Sequence, residues 1–463
     1  MNMSMREPHF NLLPRPKPTS LAGRRVLVLG LGDSGLSAAR WVQQQGGAAR
    51  VADTRTDPPR ASDYAGELRT GTFTQALLEG VDLVCISPGL SLREPVVQAA
   101  VAIGVPVVGD IELFAWHVRS DPASRVLAVT GTNGKTTVTA LTGHLLRAAG
   151  IECEVAGNIG PAALDALVKR RAPPAAWVLE LSSYQLETTW SLAPDAATVL
   201  NLSEDHLDRY AGLEDYGAAK ARIFQGEGVQ VLNRDDPRSI SMGLEGREQV
   251  TFGLDAPGAE GDWGVADGEI HEGALPVLPL AELQIHGAHN AANALAACAL
   301  ARSLGASREA LAQGLRTFRG LPHRLQLVAE RGGVAWYDDS KGTNVGATVA
   351  ALQGLGRPAL LIAGGEGKGQ DFSPLAPAVA AHARRVLLIG RDAPAIERSL
   401  AASGVPLERC ATLEQAVARA GQLARAGDAV LLSPACASFD MFRDYRHRGE
   451  VFAAAVQALG GLQ

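Results

Sequence analysis

The stretch Thr130-Gly131-Thr132-Asn133-Gly134-Lys135-Thr136-Thr137 constrains this chain more than any other. It follows the apolar run Val126-Leu127-Ala128-Val129 and opens a helical pattern from Val138 to Ala149. A strand, a glycine-bearing loop ending in Lys-Thr-Thr and a helix bring backbone N–H groups, a lysine and a helix N-terminus onto one phosphate. The pattern departs from the usual P-loop at one position: Val129 stands where the first glycine is expected, and the nearer glycine is Gly131. Gly131, Thr132, Asn133, Gly134, Lys135, Thr136 and Thr137 are therefore candidate nucleotide-binding residues, with Thr136 placed to ligate Mg²⁺. The plain alternative is an ordinary turn between strand and helix. A lysine and two hydroxyls at the helix start argue against it.

A chain of 463 residues is too long for one core, so two or three domains are expected. Hydrophobic residues at 46% and charged residues at 20% describe a globular protein, and a net charge of −6 gives no sign of a nucleic-acid surface. Cys85, Cys153, Cys298, Cys410 and Cys436 are widely spaced and read as buried thiols of a reducing compartment, without metal spacing. Cys436 reads as a packing residue. Residues 1–20 read as a disordered extension, neither signal peptide nor anchor. No run approaches the ~20 apolar residues of a membrane span. The expected location is the cytoplasm.

Apolar runs alternate with helical patterns. Arg25 to Gly30, Val51 to Asp53, Leu83 to Ser87 and Val105 to Val108 are the strands of a first unit that ends near Gly109. A second unit carries the P-loop, then Trp177 to Leu181, Ala197 to Asn201 and Gln230 to Asn233 as buried strands. Asp255 to Gly273 reads as surface hairpins, and Gly287 to Ala301 as helix. A third unit starts near Leu321, with strands at Val334 to Asp338, Ala359 to Ala363, Val386 to Ile389 and Ala429 to Leu432. Such alternation implies parallel sheets.

Polar residues gather where these strands end. Gly30-Leu31-Gly32-Asp33-Ser34-Gly35 fits the dinucleotide fingerprint, with Asp53 closing the next strand as a ribose ligand. A purely structural tight turn is the alternative. Glu180 ends a buried strand beside the P-loop and can bind Mg²⁺ or its waters, or else cap the next helix. His206 lies among Glu204, Asp205 and Asp208, a setting that suits metal ligation or carbonyl polarisation better than a structural role. Lys220 by itself reads as a surface helix lysine. Asp338 to Asn344, Gly364 to Gly369 and Ser433 to Ser438 form three polar loops on one sheet edge, suited to an anionic second substrate.

Together these motifs resemble the Mur ligase family, over nearly the whole chain from about Leu21 to Phe452. The resemblance is carried by Gly30-Leu31-Gly32, Asp53-Thr54-Arg55, Ser87-Pro88-Gly89, Gly109 to Glu112, Thr130 to Thr137, Gly157 to Gly160, Leu179 to Ser183, Glu204 to Tyr210, His289-Asn290, Leu321 to Arg324, Asp339-Ser340-Lys341 and Ser433 to Ser438. It implies an α/β protein of three domains behind the extension. A Rossmann-like UDP-binding domain spans 21–109, a P-loop-type ATP-binding domain 110–320, and a Rossmann-like glutamate-binding domain 321–463. The activity it implies is ATP-dependent ligation of D-glutamate to UDP-N-acetylmuramoyl-L-alanine through an acyl phosphate, in peptidoglycan precursor synthesis.

By the same resemblance, Gly32, Asp33, Ser34, Asp53, Thr54 and Gly89 hold the UDP moiety, and Asn158, Ser182 and Gln185 lie near the muramoyl group. Asn290, Asn293, Arg324 and Asp339 join the P-loop on ATP. Lys341, Thr343, Lys368, Ser438 and Tyr445 receive glutamate. Lys220 matches a carbamylated lysine that would hold a second Mg²⁺ with His206, while Thr136 and Glu180 serve the first. Lys135, Glu180, His206 and Lys220 form the implied catalytic set. The implied partners are the small-molecule substrates alone, with a monomer as the expected state. The chain departs from the family pattern at Tyr445 and Tyr184, where phenylalanine is common, at Glu366 for a frequent aspartate, and in residues 1–20. A folylpolyglutamate-type ligase, which begins near its P-loop, fits less well. A catalytically dead UDP-sugar regulator is disfavoured by intact Lys135, Glu180, His206 and Lys220, and an NAD dehydrogenase leaves the P-loop without a purpose.

Overall fold

Central strands of parallel sheets are covered on both faces, so they read as unbroken apolar runs. That is the case for β1 (Arg25–Leu29), in which every residue after Arg25 is fully buried. The computed structural model describes residues 13–119, 121, 123–206, 209–285 and 287–459. After β1 come α1 (Asp33–Gln44), β2 (Ala48–Asp53), β3 (Glu67–Thr70), β4 (Leu83–Ile86), α2 (Pro95–Ala102) and β5 (Val107–Val108). The strands form a parallel sheet in the order β3-β2-β1-β4-β5. Helix α3 (Asp110–Val118) then leads to the next sheet.

The second sheet begins with β6 (Arg125–Thr130), α4 (Lys135–Ala148), β7 (Cys153–Gly157), α5 (Ala163–Lys169), β8 (Ala176–Glu180), α6 (Ser183–Leu186) and β9 (Ala196–Val199). It continues through α7 (Leu213–Ala221), β10 (Val229–Asn233), α8 (Pro237–Ile240) and β11 (Gln249–Phe252) to β12 (Trp263–Ala266), β13 (Glu269–Glu272) and β14 (Leu275–Pro279). Its order is β14-β13-β12-β11-β10-β9-β6-β8-β7. Strand β6 pairs in parallel with both β8 and β9, so the loop that follows it opens between the ends of two neighbours. The segment expected to form surface hairpins contains the antiparallel pair β12–β13, although Trp263 and Ile270 are fully buried. Helices α9 (Ala288–Ser303) and α10 (Arg308–Thr317) follow.

The third sheet comprises β15 (Gln326–Arg331), β16 (Val334–Asp338), α11 (Val345–Gly354), β17 (Ala359–Gly364), α12 (Leu375–His382), β18 (Ala383–Ile389), α13 (Ala393–Leu400), β19 (Leu407–Arg409), α14 (Leu413–Leu423), β20 (Ala429–Leu432) and α15 (Tyr445–Ala458). Its order is β15-β16-β20-β17-β18-β19, parallel except for β15 against β16. The three polar loops after β16, β17 and β20 therefore leave the same ends of three adjacent strands.

Three sheets are distributed over two compact units. One unit holds the first two sheets, up to Leu202 with Arg209–Leu278 and Ala294–Gly314; the other holds Ser203–Asp208, Pro279–Asn293 and the chain from Leu315 onward. Helix α3 is the reason the first two sheets share a unit. Its residues Ile111, Leu113, Phe114 and Ala115 are buried in a core that includes both Val28 of β1 and Trp177 of β8, and Phe114 meets Trp177 edge-on at 5.1 Å. Burying side chains the size of Ile111, Leu113 and Phe114 contributes roughly 1.5–3 kcal/mol each. Glu112, fully buried on the same helix, accepts from Trp116 Nε1 at 2.8 Å, Trp190 N at 2.6 Å and Ser191 N at 2.9 Å.

The extension expected to be disordered has two parts. Residues 1–12 lie outside the described residues. Leu13, by contrast, is buried in an apolar cluster with Leu27, Phe73 and Trp190, because its side chain removes apolar surface from water there.

Candidate active site

Strand β6 anchors the P-loop through Val126 to Val129, all buried. Gly134 caps α4 in a left-handed conformation (φ 84°), and no side chain caps the helix. A helix N-terminus that follows a glycine-bearing loop in this way suits an anion. Gly131 (φ 149°) holds a backbone conformation that other residues rarely adopt, and a Cβ there would crowd Leu200 Cβ at 3.0 Å. Lys135 folds back over the loop and donates from Nζ to Gly131 O at 2.9 Å and Thr132 O at 2.8 Å. Thr132 and Thr137 are buried and Thr136 half-buried on the loop and first turn.

Asn201 follows the neighbouring strand and holds the loop open. Its Oδ1 accepts from Asn133 N at 2.9 Å, its Nδ2 donates to Asn133 O at 3.1 Å, and its carbonyl accepts from Thr132 N at 3.0 Å. It was not among the expected site residues. An amide residue ending the strand next to a P-loop was the available signal.

Lys220 is a correction to the reading of a surface helix lysine. It is 1% exposed, because α7 packs it against the P-loop strand. Its Nζ donates to Gly131 O at 2.8 Å and Thr130 Oγ1 at 3.4 Å, over the Tyr216 ring at 4.4 Å. Two lysines thus share the Gly131 carbonyl.

Glu180, 1% exposed, pairs in register with Val129, the residue before the P-loop. Its Oε1 accepts from Asn158 Nδ2 at 2.7 Å, whereas Oε2 is buried without a hydrogen-bond partner. A buried carboxylate oxygen with no donor is costly unless a cation supplies its partner. Glu180 at the end of β8, with Thr136 in the first turn of the helix that follows the neighbouring β6, fits a hard, oxygen-ligated ion such as Mg²⁺. Among the described residues no group of three or more His, Cys, Asp or Glu side chains forms a metal cluster by itself.

Asn158, Ser182 and Gln185, expected near the muramoyl group, have protein partners. Asn158 holds Glu180. Ser182 and Gln185 form a capping box on α6, with Gln185 N donating to Ser182 Oγ at 3.2 Å and Ser182 N to Gln185 Oε1 at 3.1 Å. Gln185 Nε2 also donates to Asp110 Oδ2 at 3.3 Å. Burial pushes the Asp110 carboxyl up, against hydrogen bonds from Gln185, Ile111 and Ser34. Asp110 thereby links Ser34 of the first sheet to Gln185 of the second.

On the first sheet, α1 starts at Asp33 behind an N-cap Gly32 that makes no side-chain cap. A Cβ on Gly35 would lie 1.9 Å from Gly30 O, so only glycine allows this turn. Asp53 does not stand free at the strand end. Its carboxylate accepts from Leu31 N at 2.7 Å, Arg55 N at 2.9 Å, Arg55 Nε at 2.9 Å and Arg55 Nη2 at 2.7 Å. Burial pushes it up, but the Arg55 side chain and the two amides outweigh that and hold it at about 2. Asp33 pairs with Arg60 at 2.7 Å, while Thr54 and Gly89 are exposed.

The second unit carries the remaining expected residues. His206 lies in its segment Ser203–Asp208, with φ 56° and its N–H donated to Asp205 Oδ1 at 2.9 Å. Asp208 lies outside the described residues. On α9, Asn293 Nδ2 donates to Asn290 Oδ1 at 3.2 Å. Asp339 Oδ2 accepts from Ser433 Oγ at 2.7 Å and Oδ1 from Leu325 N at 3.2 Å. Burial raises its carboxyl to about 7, opposed by Ser433, by the Arg324 charge and by the Leu325 amide. The loops after β17 and β20 are zipped by Glu366 N to Ala437 O at 3.0 Å and Ala437 N to Glu366 O at 2.9 Å. Lys368 (φ 52°) and Thr343 are exposed and Ser438 is buried. Non-glycine residues at positive φ are strained, and His206, His323 and Lys368 concentrate that strain in the polar loops. Cys436 is fully buried, and burial pushes its thiol up to about 12, which suits packing. Cys410 is only half-buried, unlike the buried thiol expected there.

Three family models match in order: the Mur ligase MurD-like N-terminal domain over residues 24–109, the Mur ligase middle domain over 129–301, and the Mur ligase glutamate ligase domain over 323–436. The chain is 56% identical over 456 residues to a UDP-N-acetylmuramoylalanine–D-glutamate ligase of Nitrosospira multiformis, covering 95% of this chain and 96% of that one. It is likewise 56% identical over 460 residues to a protein of the same name in Thiobacillus denitrificans, covering 95% and 97%. Among solved structures, the UDP-N-acetylmuramate-alanine ligase MurC of Thermotoga maritima shares the fold, with a TM-score of 0.62 at 20% identity, over 94% of this chain and 100% of that one. MurF of Acinetobacter baumannii does so with a TM-score of 0.61 at 17% identity, over 94% and 93%. A P-loop, a partnerless buried glutamate oxygen and a buried lysine converge on one sheet edge of a chain more than half identical to such relatives: the chain belongs to the Mur ligase family.

Proposed function

We propose that this chain joins D-glutamate to UDP-N-acetylmuramoyl-L-alanine at the expense of ATP; the two joined substrates are those that the names of its relatives give for those proteins, and the P-loop supports the nucleotide. Identity above half along almost the entire length carries this reading. In the first step the terminal carboxylate oxygen of the UDP-sugar substrate attacks the γ-phosphorus, ADP leaves, and an acyl phosphate forms. The amine nitrogen of glutamate then attacks the acyl carbon. The tetrahedral adduct expels inorganic phosphate, and one ammonium proton is released for each amide formed.

The chain's own part is binding, positioning and charge neutralisation. Gly131 to Thr137 hold phosphate with backbone amides, and Lys135 carries positive charge over the loop. Asn290, Asn293, Arg324 and Asp339 are proposed nucleotide contacts. Gly32, Ser34, Thr54 and Gly89 are proposed for the UDP moiety, with Asp33 and Asp53 ordering their loop. Asn158, Ser182 and Gln185 are proposed near the muramoyl group. Lys341, Thr343, Lys368, Ser438 and Tyr445 are proposed for glutamate. Thr136 and Glu180 would hold Mg²⁺, with Lys220 as a carbamate and His206 as further ligands by resemblance. Bound Mg²⁺ supplies charge neutralisation to the phosphate oxygens. A carbamate on Lys220 exchanges an ammonium for an anion, removing the repulsion that a cation there would exert.

Among the described residues no helix is long and apolar enough to cross a membrane. A cytoplasmic place in cell-wall precursor synthesis, and so in cell growth and division, is part of the proposal. The test is phosphate and amide formation from ATP, Mg²⁺ and UDP-N-acetylmuramoyl-L-alanine, with D-glutamate, L-glutamate or neither. Amide formation with D-glutamate is expected. A pure, folded enzyme that yields neither ADP nor amide would overturn the reading.

A further inference from the structure

Leu13-Pro14-Arg15-Pro16-Lys17-Pro18 has a proline at every second position. Each ring fixes φ, and closely spaced prolines favour an extended polyproline helix, which needs no internal hydrogen bonds. Residues 14–20 accordingly form neither helix nor strand. Leu13 and Pro16 are nevertheless buried, while Pro14, Arg15, Lys17 and Pro18 are exposed. A stiff extended chain has little conformational freedom left to lose, so few contacts hold it down.

The two ends of this segment reach opposite faces of the first sheet. Alternate residues of a strand point to opposite faces. Leu13 shares a cluster with Leu27 and Leu29 of β1, whereas Leu21 shares the other core with Val26 and Val28. A polyproline stretch rises ~3.1 Å per residue, so the chain from Leu13 to Leu21 can span about 25 Å, enough to pass around a sheet edge. Its far end is pinned where β1 begins, by Arg24 Nε to Ser20 O at 3.0 Å and Arg24 N to Leu21 O at 3.1 Å. Its near end meets the second sheet. The Leu13 cluster also holds Trp190, from the loop between α6 and β9, and Tyr216 of α7. Arg15 Nη2 donates to Trp190 O at 3.5 Å. Trp190 is otherwise held by Glu112, which accepts its N–H, and by the Arg222 guanidinium carbon 5.1 Å from its ring. Aromatic rings are the surfaces on which proline-rich segments dock. Helix α3 thus joins the two sheets through one core, and Leu13 with Trp190 lies in the cluster that joins them through the other.

We propose that Leu13 to Ser20 is an intramolecular strap, a polyproline-type segment seated against the Trp190 loop, that fixes the angle between the first sheet and the second. Its kinetic consequence rests on the ligase reading above, in which the UDP moiety lies on the first sheet and phosphoryl transfer takes place on the second. The strap then sets how well the substrate carboxylate lines up with the γ-phosphorus. ATP contacts involve no residue of the first sheet and are indifferent to it.

Hydrogen exchange read by mass spectrometry on the full chain tests the strap without reference to activity. Leu13→Ser is expected to speed exchange in the peptides that carry Trp190 with Ser191 and Phe73, and to leave α4 unchanged. Pro14→Gly combined with Pro18→Gly removes no buried side chain, so the fold is kept; it loosens the strap and should act in the same direction more weakly. Leu13→Met nearly conserves volume and should behave as wild type. In steady-state assays well below the melting temperature, Leu13→Ser should lower kcat/KM for the UDP-substrate about tenfold, as a small misplacement remote from the reacting atoms does, with the KM for ATP unchanged. Wild-type exchange in both Leu13→Ser and the double proline variant overturns the strap. Faster exchange with unaltered kcat/KM overturns its role in aligning the sheets. A wild-type chain that makes no amide overturns the ligase reading, and the exchange pattern then decides the strap by itself.

Discussion

Arg209 is bound to the fully buried Glu187 by two side-by-side hydrogen bonds, Nη2 to Oε2 at 2.5 Å and Nε to Oε1 at 3.2 Å. The same guanidinium donates to Pro88 O at 3.2 Å and Leu90 O at 2.9 Å and lies 4.1 Å from the centre of the Tyr184 ring. One side chain therefore ties the loop that follows β4 to the helix that follows β8. Removing Arg209 takes the cation away from a buried carboxylate, which costs about 3–5 kcal/mol. Arg209→Met should lower the urea midpoint strongly and raise the KM for the UDP-substrate, because Gly89 sits between the two clamped carbonyls. Adding Glu187→Gln should recover much of the stability without the KM. Equal urea midpoints in wild type and Arg209→Met would show that the pair is not holding the loop.

Asn201→Ala removes both side-chain bonds to Asn133. We expect a severalfold rise in the KM for ATP and a stability loss of about 0.5–1.5 kcal/mol for each hydrogen bond lost. Nucleotide titration and denaturant unfolding read the two effects separately. Unaltered ATP affinity would mean the loop keeps its shape alone.

Lys135→Ala should lower kcat by about 10²-fold or more if the ammonium meets the transferring phosphoryl group. Single-turnover phosphate release with saturating substrates measures it. Normal turnover would remove Lys135 from the chemistry and leave it as a brace for the Gly131 and Thr132 carbonyls.

Lys220→Ala should nearly abolish turnover, and added acetate or another short carboxylate should restore part of it by standing in for a carbamate. Assays across carboxylate chain length check this. A mutant as active as wild type without supplement removes the carbamate from the account.

Asp339 has its carboxyl raised to about 7 in the folded chain, from 3.8 in the unfolded one, chiefly by burial. The folded state therefore keeps a proton that the unfolded state has given up between those values. Stability from this group is complete below 3.8 and falls as pH rises to about 7. Asp339→Asn should flatten the fall of the urea midpoint across that window. A slope identical to that of wild type would mean the carboxyl is ionised throughout.

The parts of the site that were legible along the chain are local. Thr130 to Thr137 declares a strand, a loop and a helix within eight consecutive residues, and the structure places Lys135 at the first position of α4 as that spacing requires. Glu180 was legible for the same reason, as a carboxylate closing an apolar run. Lys220 was not. A lysine on an alanine-rich helix that opens with two acids reads as solvated, and its acceptor, Gly131 O, lies 89 residues earlier. Asp53 was legible as a strand-end acid, but its four donors come from how Arg55 and Leu31 fold back on it.

Periodicity, glycine positions and strand-end polar residues determined the α/β class, the P-loop and the polar loops, because each depends on residues adjacent in the chain. Tertiary structure decided the rest: which strands neighbour β6, that α3 joins two sheets in one core, that Lys220 is buried, and that Tyr445 meets Lys341 across 104 residues of chain. Burial and ion pairing are set by what packs against a side chain. That information resides in contacts between distant segments, where desolvation and charge act through space and not along the backbone.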